Sequence, residues 1–155
     1  MALEIGTTAP LFQLLDQDGS VFDLAAQRGR SVVLYFYPRD STPGCTTEAC
    51  EFRDAFQRIG SKNALVVGIS RDSAQSHRKF REKQSLPFPL LVDDQTTVCE
   101  LYGVWRMKKF MGRESMGIVR STFLIDPKGK LERIWSPVSL KGHVEEVVSS
   151  IPAGK

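Results

Sequence analysis

The stretch that decides the fold is residues 31–50, which read SVVLYFYPRDSTPGCTTEAC. It opens with an unbroken run of β-forming residues from Val32 to Tyr37, which is typical of a strand buried on both faces of a sheet. Pro38 ends the run. After a short polar loop, apolar residues from Thr46 to Ile59 recur at helical spacing. The stretch therefore predicts a buried strand followed by a helix that starts at Cys45 or just after it.

Similar patterns on both sides of this stretch predict the remaining elements. The expected elements are a hairpin from Phe12 to Leu24, strands at Leu65 to Ile69 and Leu90 to Val92, helices from Asp72 or Ser73 to about Gln84, from Thr96 to Tyr102 and from Leu140 to Ser150, a loop from Val104 to Val119, and a hairpin from Thr122 to Trp135. Strands that alternate with helices indicate an α/β fold. We expect one domain over residues 1–155, with a thioredoxin-like central mixed sheet flanked by helices and an N-terminal β-hairpin.

Composition narrows the class of protein. The chain has 155 residues, a formal net charge of +3 and three cysteines. The small and evenly spread charge argues against a nucleic-acid partner. No apolar run approaches the roughly 20 residues that a membrane span needs, and the first residues lack the pattern of a secretory signal. We therefore expect a cytoplasmic protein with no membrane partner.

Cys45 is the candidate reactive residue because it stands where the predicted helix starts. The thiolate is the nucleophilic form of cysteine, and a helix N-terminus stabilises an anion through its unpaired N–H groups and its dipole. Pro43 and Gly44 suit a tight entry that lets the backbone approach the sulfur. Ligands in open α/β sheets commonly bind where a strand ends and a helix begins. The sequence thus predicts a nucleophilic thiol at this edge of the sheet.

A family resemblance supports this prediction. Pro38, Thr42 and Cys45 match the Pro-x-x-x-Thr/Ser-x-x-Cys signature of peroxiredoxins, which are cysteine peroxidases with a modified thioredoxin fold. The chain resembles this family over nearly its whole length, and within it the bacterioferritin comigratory protein, or peroxiredoxin Q, branch. Further matching stretches are Asp16 to Gly19, Tyr35 to Pro38, Thr42 to Thr46, Tyr102 to Trp105 and Arg120 to Asp126.

The resemblance implies a role for each matching residue. Cys45 would be the peroxidatic cysteine, which attacks a peroxide oxygen and becomes a sulfenic acid. The Thr42 hydroxyl would bind the thiolate and the peroxide, and the Arg120 guanidinium would stabilise the thiolate and the developing charge. Pro38 would shield the sulfur from solvent, and Gly44 would border the substrate.

Glu48 also matches a glutamate that is common in the wider family, which would give it a supporting part in the site. Its other interpretation is a favourable acidic charge in the first turn of the helix. The sequence leaves both interpretations open.

Cys50 is the candidate resolving cysteine. Five helical residues give about 7.5 Å of rise and about 140° of rotation, so the Cα atoms of Cys45 and Cys50 would lie about 8 to 9 Å apart. A disulfide needs Cα atoms within about 7 Å. An intact helix cannot host this bond, and we expect its first turns to unwind before the disulfide forms. The resemblance to branch members with cysteine at this spacing supports the resolving role, whereas a small core residue is the alternative.

The expected activity is the reduction of hydrogen peroxide and alkyl hydroperoxides. The resemblance implies thioredoxin as the reductant, and sulfur chemistry requires no cofactor and no metal. An internal resolving cysteine removes the need for a second subunit, so we expect a monomer. The alternative is a thioredoxin-like dithiol-disulfide oxidoreductase, although that chemistry usually rests on Cys-x-x-Cys rather than on the wider spacing found here.

The remaining candidates are interpreted as structural. Cys99 is expected to be a structural thiol, and His77 and His143 to be surface residues. Asp93-Asp94 is interpreted as a helix cap. The basic residues Arg106, Lys108, Lys109 and Arg113 are interpreted as solvated surface, or else as a surface that docks an acidic reductase or attracts anionic hydroperoxides.

Overall fold

The computed structural model describes residues 3–152, and a five-stranded mixed sheet forms its centre. The strands are β1 (Gln13–Leu15), β2 (Val21–Asp23), β3 (Ser31–Phe36), β4 (Ala64–Ser70), β5 (Leu90–Val92), β6 (Trp105–Phe110), β7 (Arg113–Ile118), β8 (Ser121–Ile125) and β9 (Leu131–Trp135). The helices are α1 (Pro43–Asp54), α2 (Phe56–Ser61), α3 (Ala74–Gln84), α4 (Thr97–Leu101) and α5 (His143–Ser150), and a 3₁₀ turn covers Leu24–Gln27. Among these residues, no helix is both long enough and apolar enough to cross a bilayer.

The central sheet has the strand order β5-β4-β3-β8-β9. β3, β4 and β5 are parallel, whereas β8 is antiparallel to both of its neighbours, β3 and β9. The pairs β1–β2 and β6–β7 form separate two-stranded hairpins. The predicted mixed sheet with an N-terminal hairpin is therefore confirmed.

β3 separates two hydrophobic cores, because its side chains alternate between the two faces of the sheet. Val33 and Tyr35 belong to one core, with apolar residues from α1, α2, α3 and α5. Leu34 and Phe36 belong to the other, with residues from α4 and the N-terminal hairpin. This burial on both faces explains the continuous apolar run in the sequence. Helices cover both faces of the sheet, as predicted.

α1 begins earlier than predicted. Pro43 is its first residue and Thr42 its N-cap, so Cys45 is the third residue of the helix rather than its start. Proline suits this position because the first helical N–H has no acceptor within the helix. The predicted continuous helix is also interrupted at Ala55, where the backbone has φ −92° and ψ 0° and α2 follows.

The predicted loop from Val104 to Val119 is wrong, because β6 and β7 form an antiparallel hairpin there. Met111 and Gly112 connect the strands with φ values of 51° and 79°. Positive φ at both central residues is the geometry of a tight hairpin turn. The hairpin escapes detection from hydrophobic pattern because most of its side chains are exposed on both faces.

The prediction that both histidines are surface residues is also wrong. His77 is fully buried, and its Nδ1 lies 2.6 Å from Asp40 Oδ2 while its Nε2 lies 2.9 Å from the Leu91 carbonyl oxygen. Asp40 also accepts a hydrogen bond from the Tyr37 hydroxyl at 2.6 Å. This buried network ties the loop before α1 to the N-terminal half of α3. His143 is buried beside Thr122, and burial lowers its pKa to about 4, so it is neutral.

Two structural interpretations agree with the structure. Asp93 caps α4, because its carboxylate accepts hydrogen bonds from the backbone N–H groups of Val98 and Cys99 at 3.2 and 2.7 Å. Cys99 is fully buried, and burial raises the pKa of its thiol well above the ordinary value. A buried thiol that resists ionisation is a poor nucleophile.

Candidate active site

The site is built where β3 ends and α1 begins, and β8 brings its most distant member there. β8 runs antiparallel to β3 with Ser121 opposite Phe36. Arg120, the residue before Ser121, is thereby carried to the edge where Pro38 leads into the loop before α1. Its Nη2 lies 3.3 Å from Cys45 Sγ, although the two residues are 75 positions apart in the chain.

Cys45 is almost fully enclosed, with 1% of its surface exposed. Its Sγ accepts from the Arg120 guanidinium, which places a permanent positive charge beside the sulfur. A Cβ atom on Gly44 would lie 3.2 Å from Arg120 Nη2. The absent side chain at Gly44 therefore leaves room for the guanidinium. The predicted approach of the backbone to the sulfur stays a prediction.

Glu48 accepts a hydrogen bond from the second terminal nitrogen of the Arg120 guanidinium. Its Oε1 accepts a hydrogen bond from Arg120 Nη1 at 2.8 Å, and the side chain is fully buried. The interpretation of Glu48 as a first-turn helix charge is wrong, because it is the sixth residue of α1 and does not face solvent. Arg120 thus bridges a buried carboxyl group and the sulfur, and Glu48 fixes the direction in which the guanidinium points.

Burial raises the pKa of the Glu48 carboxyl to about 7, although the charge of Arg120 and its hydrogen bond oppose the shift. Glu48 Oε2 has no hydrogen-bond partner among the described residues. Near neutral pH the carboxyl group is therefore divided between its protonated and ionised forms.

Glu48→Gln is expected to remove a pH-dependent loss of stability. Because the folded-state pKa of about 7 lies above the ordinary 4.5, the folded protein keeps a proton that the unfolded chain has released between these values. The free energy of unfolding of the wild type therefore falls as pH rises through this window, by up to about 3 kcal/mol from this group. Glutamine does not titrate and its amide oxygen can still accept from Arg120, so the stability gain of the variant should grow with pH.

Urea unfolding of the reduced proteins at several values from about pH 5 to about pH 8 measures this difference. Glu82→Gln, at an exposed position on α3, is the matched control and should give no such trend. Curves for Glu48→Gln and wild type that stay parallel across the range would contradict the raised pKa.

The structure places the Thr42 hydroxyl on a different partner from the one expected. It donates to the Arg39 carbonyl oxygen at 2.9 Å, and it does not cap α1. The first-turn N–H groups of Gly44 and Cys45 have no acceptor within residues 3–152. Pro38 is half-buried at the end of β3. The part of Thr42 in binding a peroxide stays a prediction.

Cys50 lies on α1 with Cys45, but different elements hold the two sulfurs. Cys50 Sγ is half-buried and lies 3.4 Å from Gln84 Oε1, at the end of α3. One turn further, Arg53 Nη1 donates to the Gln84 carbonyl oxygen at 2.8 Å. All three cysteines are free thiols. The two thiols of α1 therefore point toward different neighbours, one toward β8 and the other toward α3.

Sequence reasoning missed two contributors to the site. Tyr35 is fully buried on β3, and burial together with the nearby Glu48 carboxyl group raises its pKa well above the ordinary value. Its hydroxyl has no hydrogen-bond partner among the described residues. The second contributor is the Asp40–His77 pair, which fixes the loop before α1. For Tyr35 the sequence offers one signal, the alternation of side chains along β3, which puts Tyr35 on the face that α1 covers. No sequence pattern indicates the Asp40–His77 pair.

Known proteins resemble this chain over nearly its whole length. Residues 5–134 match the model of the AhpC/TSA family. The chain is 48% identical to Peroxiredoxin Bcp of Bacillus subtilis, over 97% of this chain and 96% of the relative. It is 42% identical to Peroxiredoxin Bcp of Escherichia coli, over 95% and 94% of the two chains.

Solved structures of peroxiredoxin Q and of a bacterioferritin comigratory protein are similar to the fold of this chain. A cysteine-to-serine mutant of PrxQ from Xylella fastidiosa superimposes with a TM-score of 0.90 at 36% identity, over 96% of this chain and 95% of the other. The bacterioferritin comigratory protein of Xanthomonas campestris, solved as a trapped intermediate/ligand complex in work on its alkyl peroxide reduction, gives a TM-score of 0.89 at 35% identity. That alignment covers 96% of this chain and 97% of the other.

Proposed function

Since the chain belongs to the AhpC/TSA family and is a thiol-dependent peroxidase with a thioredoxin fold, we propose that Cys45 is its peroxidatic residue, that Cys50 resolves the oxidised sulfur, and that thioredoxin completes the cycle. The observation that carries this proposal is the 3.3 Å contact between Arg120 Nη2 and Cys45 Sγ. A nucleophilic thiolate needs such a charge beside it.

In the first step the Cys45 thiolate attacks one oxygen of the peroxide. A sulfur–oxygen bond forms and the oxygen–oxygen bond breaks, so the sulfur is oxidised to a sulfenic acid. The leaving oxygen departs with the bonding electron pair and takes up a proton to become water or an alcohol. Arg120 opposes the negative charge that builds up in this step, and the unpaired N–H groups of Gly44 and Cys45 provide further donors. We propose that Thr42 and Pro38 border the peroxide.

Hydrogen peroxide and alkyl hydroperoxides are the proposed substrates. Both carry the same oxygen–oxygen bond, and they differ only in the group on the leaving oxygen. The Xanthomonas campestris relative was studied for alkyl peroxide reduction, which supports the inclusion of alkyl hydroperoxides for this chain.

In the second step the Cys50 thiol attacks the sulfenic sulfur, and a disulfide and water form. The two thiols start on different neighbours, so Cys50 must leave Gln84 and the first turns of α1 must unwind. Local opening of a helix end costs less than global unfolding. The buried Asp40–His77 pair holds the chain before α1 to α3. We infer that Asp40 marks one end of the segment that opens.

In the third step a dithiol protein reduces the Cys45–Cys50 disulfide, and thioredoxin is our candidate. A reducing compartment such as the cytoplasm suits three free thiols. Because both cysteines lie in one chain, a monomer is sufficient for the cycle.

The test is to oxidise the wild type with about one equivalent of hydrogen peroxide and to map its disulfides by mass spectrometry. We expect a Cys45–Cys50 bond and peroxide-dependent NADPH oxidation when thioredoxin and thioredoxin reductase are added. A Cys45–Cys99 bond alone, or a lasting sulfenic acid, would remove Cys50 from the cycle. Insulin reduction without peroxide consumption would favour the dithiol-disulfide oxidoreductase alternative.

A further inference from the structure

The β6–β7 hairpin carries two features that the peroxidase mechanism does not use. The first is exposed apolar surface at its turn. Phe110 and Met111 are 76% and 87% exposed, more than any other large apolar side chain among the described residues. They are adjacent, and Gly112 completes the tight turn behind them. Soluble proteins rarely leave neighbouring large apolar side chains so exposed without a partner.

The second feature is charge. The hairpin has four basic side chains and one acidic one, which gives it the whole formal net charge of +3 of the chain. The rest of the chain is electrically balanced, so the expectation of an evenly spread charge is wrong. The basic side chains are Arg106, Lys108, Lys109 and Arg113, and the acidic one is Glu114. An exposed apolar tip with cations behind it combines the two attractions that hold proteins to anionic membrane surfaces.

The register places the cations on both faces of the hairpin. Lys109 pairs with Glu114 on one face, and Arg113 pairs with Phe110 on the other. Lys108 also lies on the second face, but its Nζ donates to the Ile118 carbonyl oxygen at 2.9 Å, away from the tip. The two cations nearest the apolar tip, Lys109 and Arg113, therefore lie on opposite faces, and a flat protein partner would contact only one of them. A bilayer surface surrounds an inserted tip, so lipid phosphates can reach both faces. The arrangement therefore favours a lipid surface over a protein partner.

The base of the hairpin is held firmly to the body of the protein. Arg106 donates to the Gly103 carbonyl oxygen at 2.8 Å and to Ser136 Oγ at 2.9 Å. Trp105 packs under the guanidinium of Arg71, 4.7 Å from the ring centroid. β7 ends at Ile118, two residues before Arg120. An attachment at the tip is thus connected through β7 and one further residue to the site arginine.

We propose that the β6–β7 hairpin docks on membrane surfaces rich in anionic phospholipid, with Phe110 and Met111 entering the headgroup region and the neighbouring cations Lys109 and Arg113 pairing with lipid phosphates. The prediction of no membrane partner rests on the lack of a spanning segment, and surface docking needs no such segment. Docking would present the peroxidase to hydroperoxides of membrane lipids. The binding itself does not depend on the peroxidase chemistry.

The test is co-sedimentation of the full chain with vesicles of phosphatidylglycerol and phosphatidylcholine, and with vesicles of phosphatidylcholine alone. The wild type should bind the anionic vesicles, not the neutral ones, and should lose affinity as salt is added. The double variant Phe110→Ser/Met111→Ser should bind at least about 10-fold more weakly. Lys109→Gln/Arg113→Gln should lose about 25-fold, since each cation near an anionic surface contributes about 5-fold.

The matched control is Leu15→Ser/Val21→Ser, which removes a cross-strand pair of exposed apolar residues from the β1–β2 hairpin. Acidic residues flank that hairpin, so its loss should leave vesicle binding unchanged. All variants should reduce hydrogen peroxide at the wild-type rate, whereas the tip variant should reduce a phospholipid hydroperoxide in anionic vesicles about 10-fold more slowly. Absence of wild-type binding to anionic vesicles, or equal binding by the tip variant, would overturn the proposal.

Discussion

Cys45→Ser is expected to abolish peroxide consumption, while Cys50→Ser should stop only the catalytic cycle. A serine hydroxyl beside Arg120 is far less acidic and less nucleophilic than a thiol, so no sulfenic acid can form at position 45. Cys50→Ser keeps the 3.3 Å contact between Arg120 Nη2 and Cys45 Sγ. It should therefore consume about one equivalent of peroxide and then stall as a sulfenic acid.

Thioredoxin-coupled NADPH oxidation and a peroxide titration separate the two variants. Dithiothreitol, which reduces a sulfenic acid directly, should restore turnover to Cys50→Ser and not to Cys45→Ser. Cys99→Ala is the control, because Cys99 is fully buried and its thiol pKa is raised by burial. Full thioredoxin-coupled turnover by Cys50→Ser would show that Cys50 is not the resolving residue.

The sequence predicts the platform of the site well because the signals there are local. β3 is apolar on both sides because it separates two cores. Its unbroken run of apolar residues therefore predicts a strand that is buried on both faces. Pro43 and Gly44 mark the entry to α1, although the helix starts two residues before Cys45. Each of these features depends on residues within one turn or one strand, which is the range over which pattern and propensity act.

Contacts between distant parts of the chain explain what the sequence could not predict. His77 stands in a polar helical segment and reads as a surface residue, but its partner Asp40 lies 37 positions away. Glu48 is buried because Arg120, 72 positions further on, shares its charge. Only the family resemblance placed Arg120 near Cys45, and the pairing of Ser121 with Phe36 gives the physical reason.

The β6–β7 hairpin shows the other limit of sequence patterns. Hydrophobic periodicity locates elements that bury one face, and this hairpin extends into solvent, so its apolar residues follow no core. The remaining signal is the pair Met111-Gly112, and methionine is an uncommon residue at positive φ. Strands whose side chains are exposed on both faces therefore show no hydrophobic periodicity, and the sequence pattern predicts a loop in their place.

Arg120→Met is expected to lower kcat/KM for hydrogen peroxide by about 10²- to 10³-fold, which is the usual loss when one charge-stabilising donor is removed. Methionine fills a similar volume but supplies neither the charge beside Cys45 Sγ nor the hydrogen bond to Glu48 Oε1. Arg120→Lys should recover only part of the rate, because a lysine ammonium is a point charge and cannot hold both partners in the planar fork of a guanidinium. Stopped-flow measurement of sulfenic acid formation against peroxide concentration gives the rate without the later steps.

Two further variants separate the lost charge from its side effects. Arg120→Met leaves the buried Glu48 carboxyl without its partner, so Arg120→Met/Glu48→Gln removes both members of the pair and avoids an isolated buried charge. If Arg120 acts on the sulfur, the double variant should stay as slow as Arg120→Met even where it is more stable. Arg133→Met, on the neighbouring strand β9, should keep the wild-type rate. A double variant that regains the wild-type rate would mean that Arg120 serves only to neutralise Glu48, and the proposed stabilisation of the reacting sulfur by its guanidinium would be wrong.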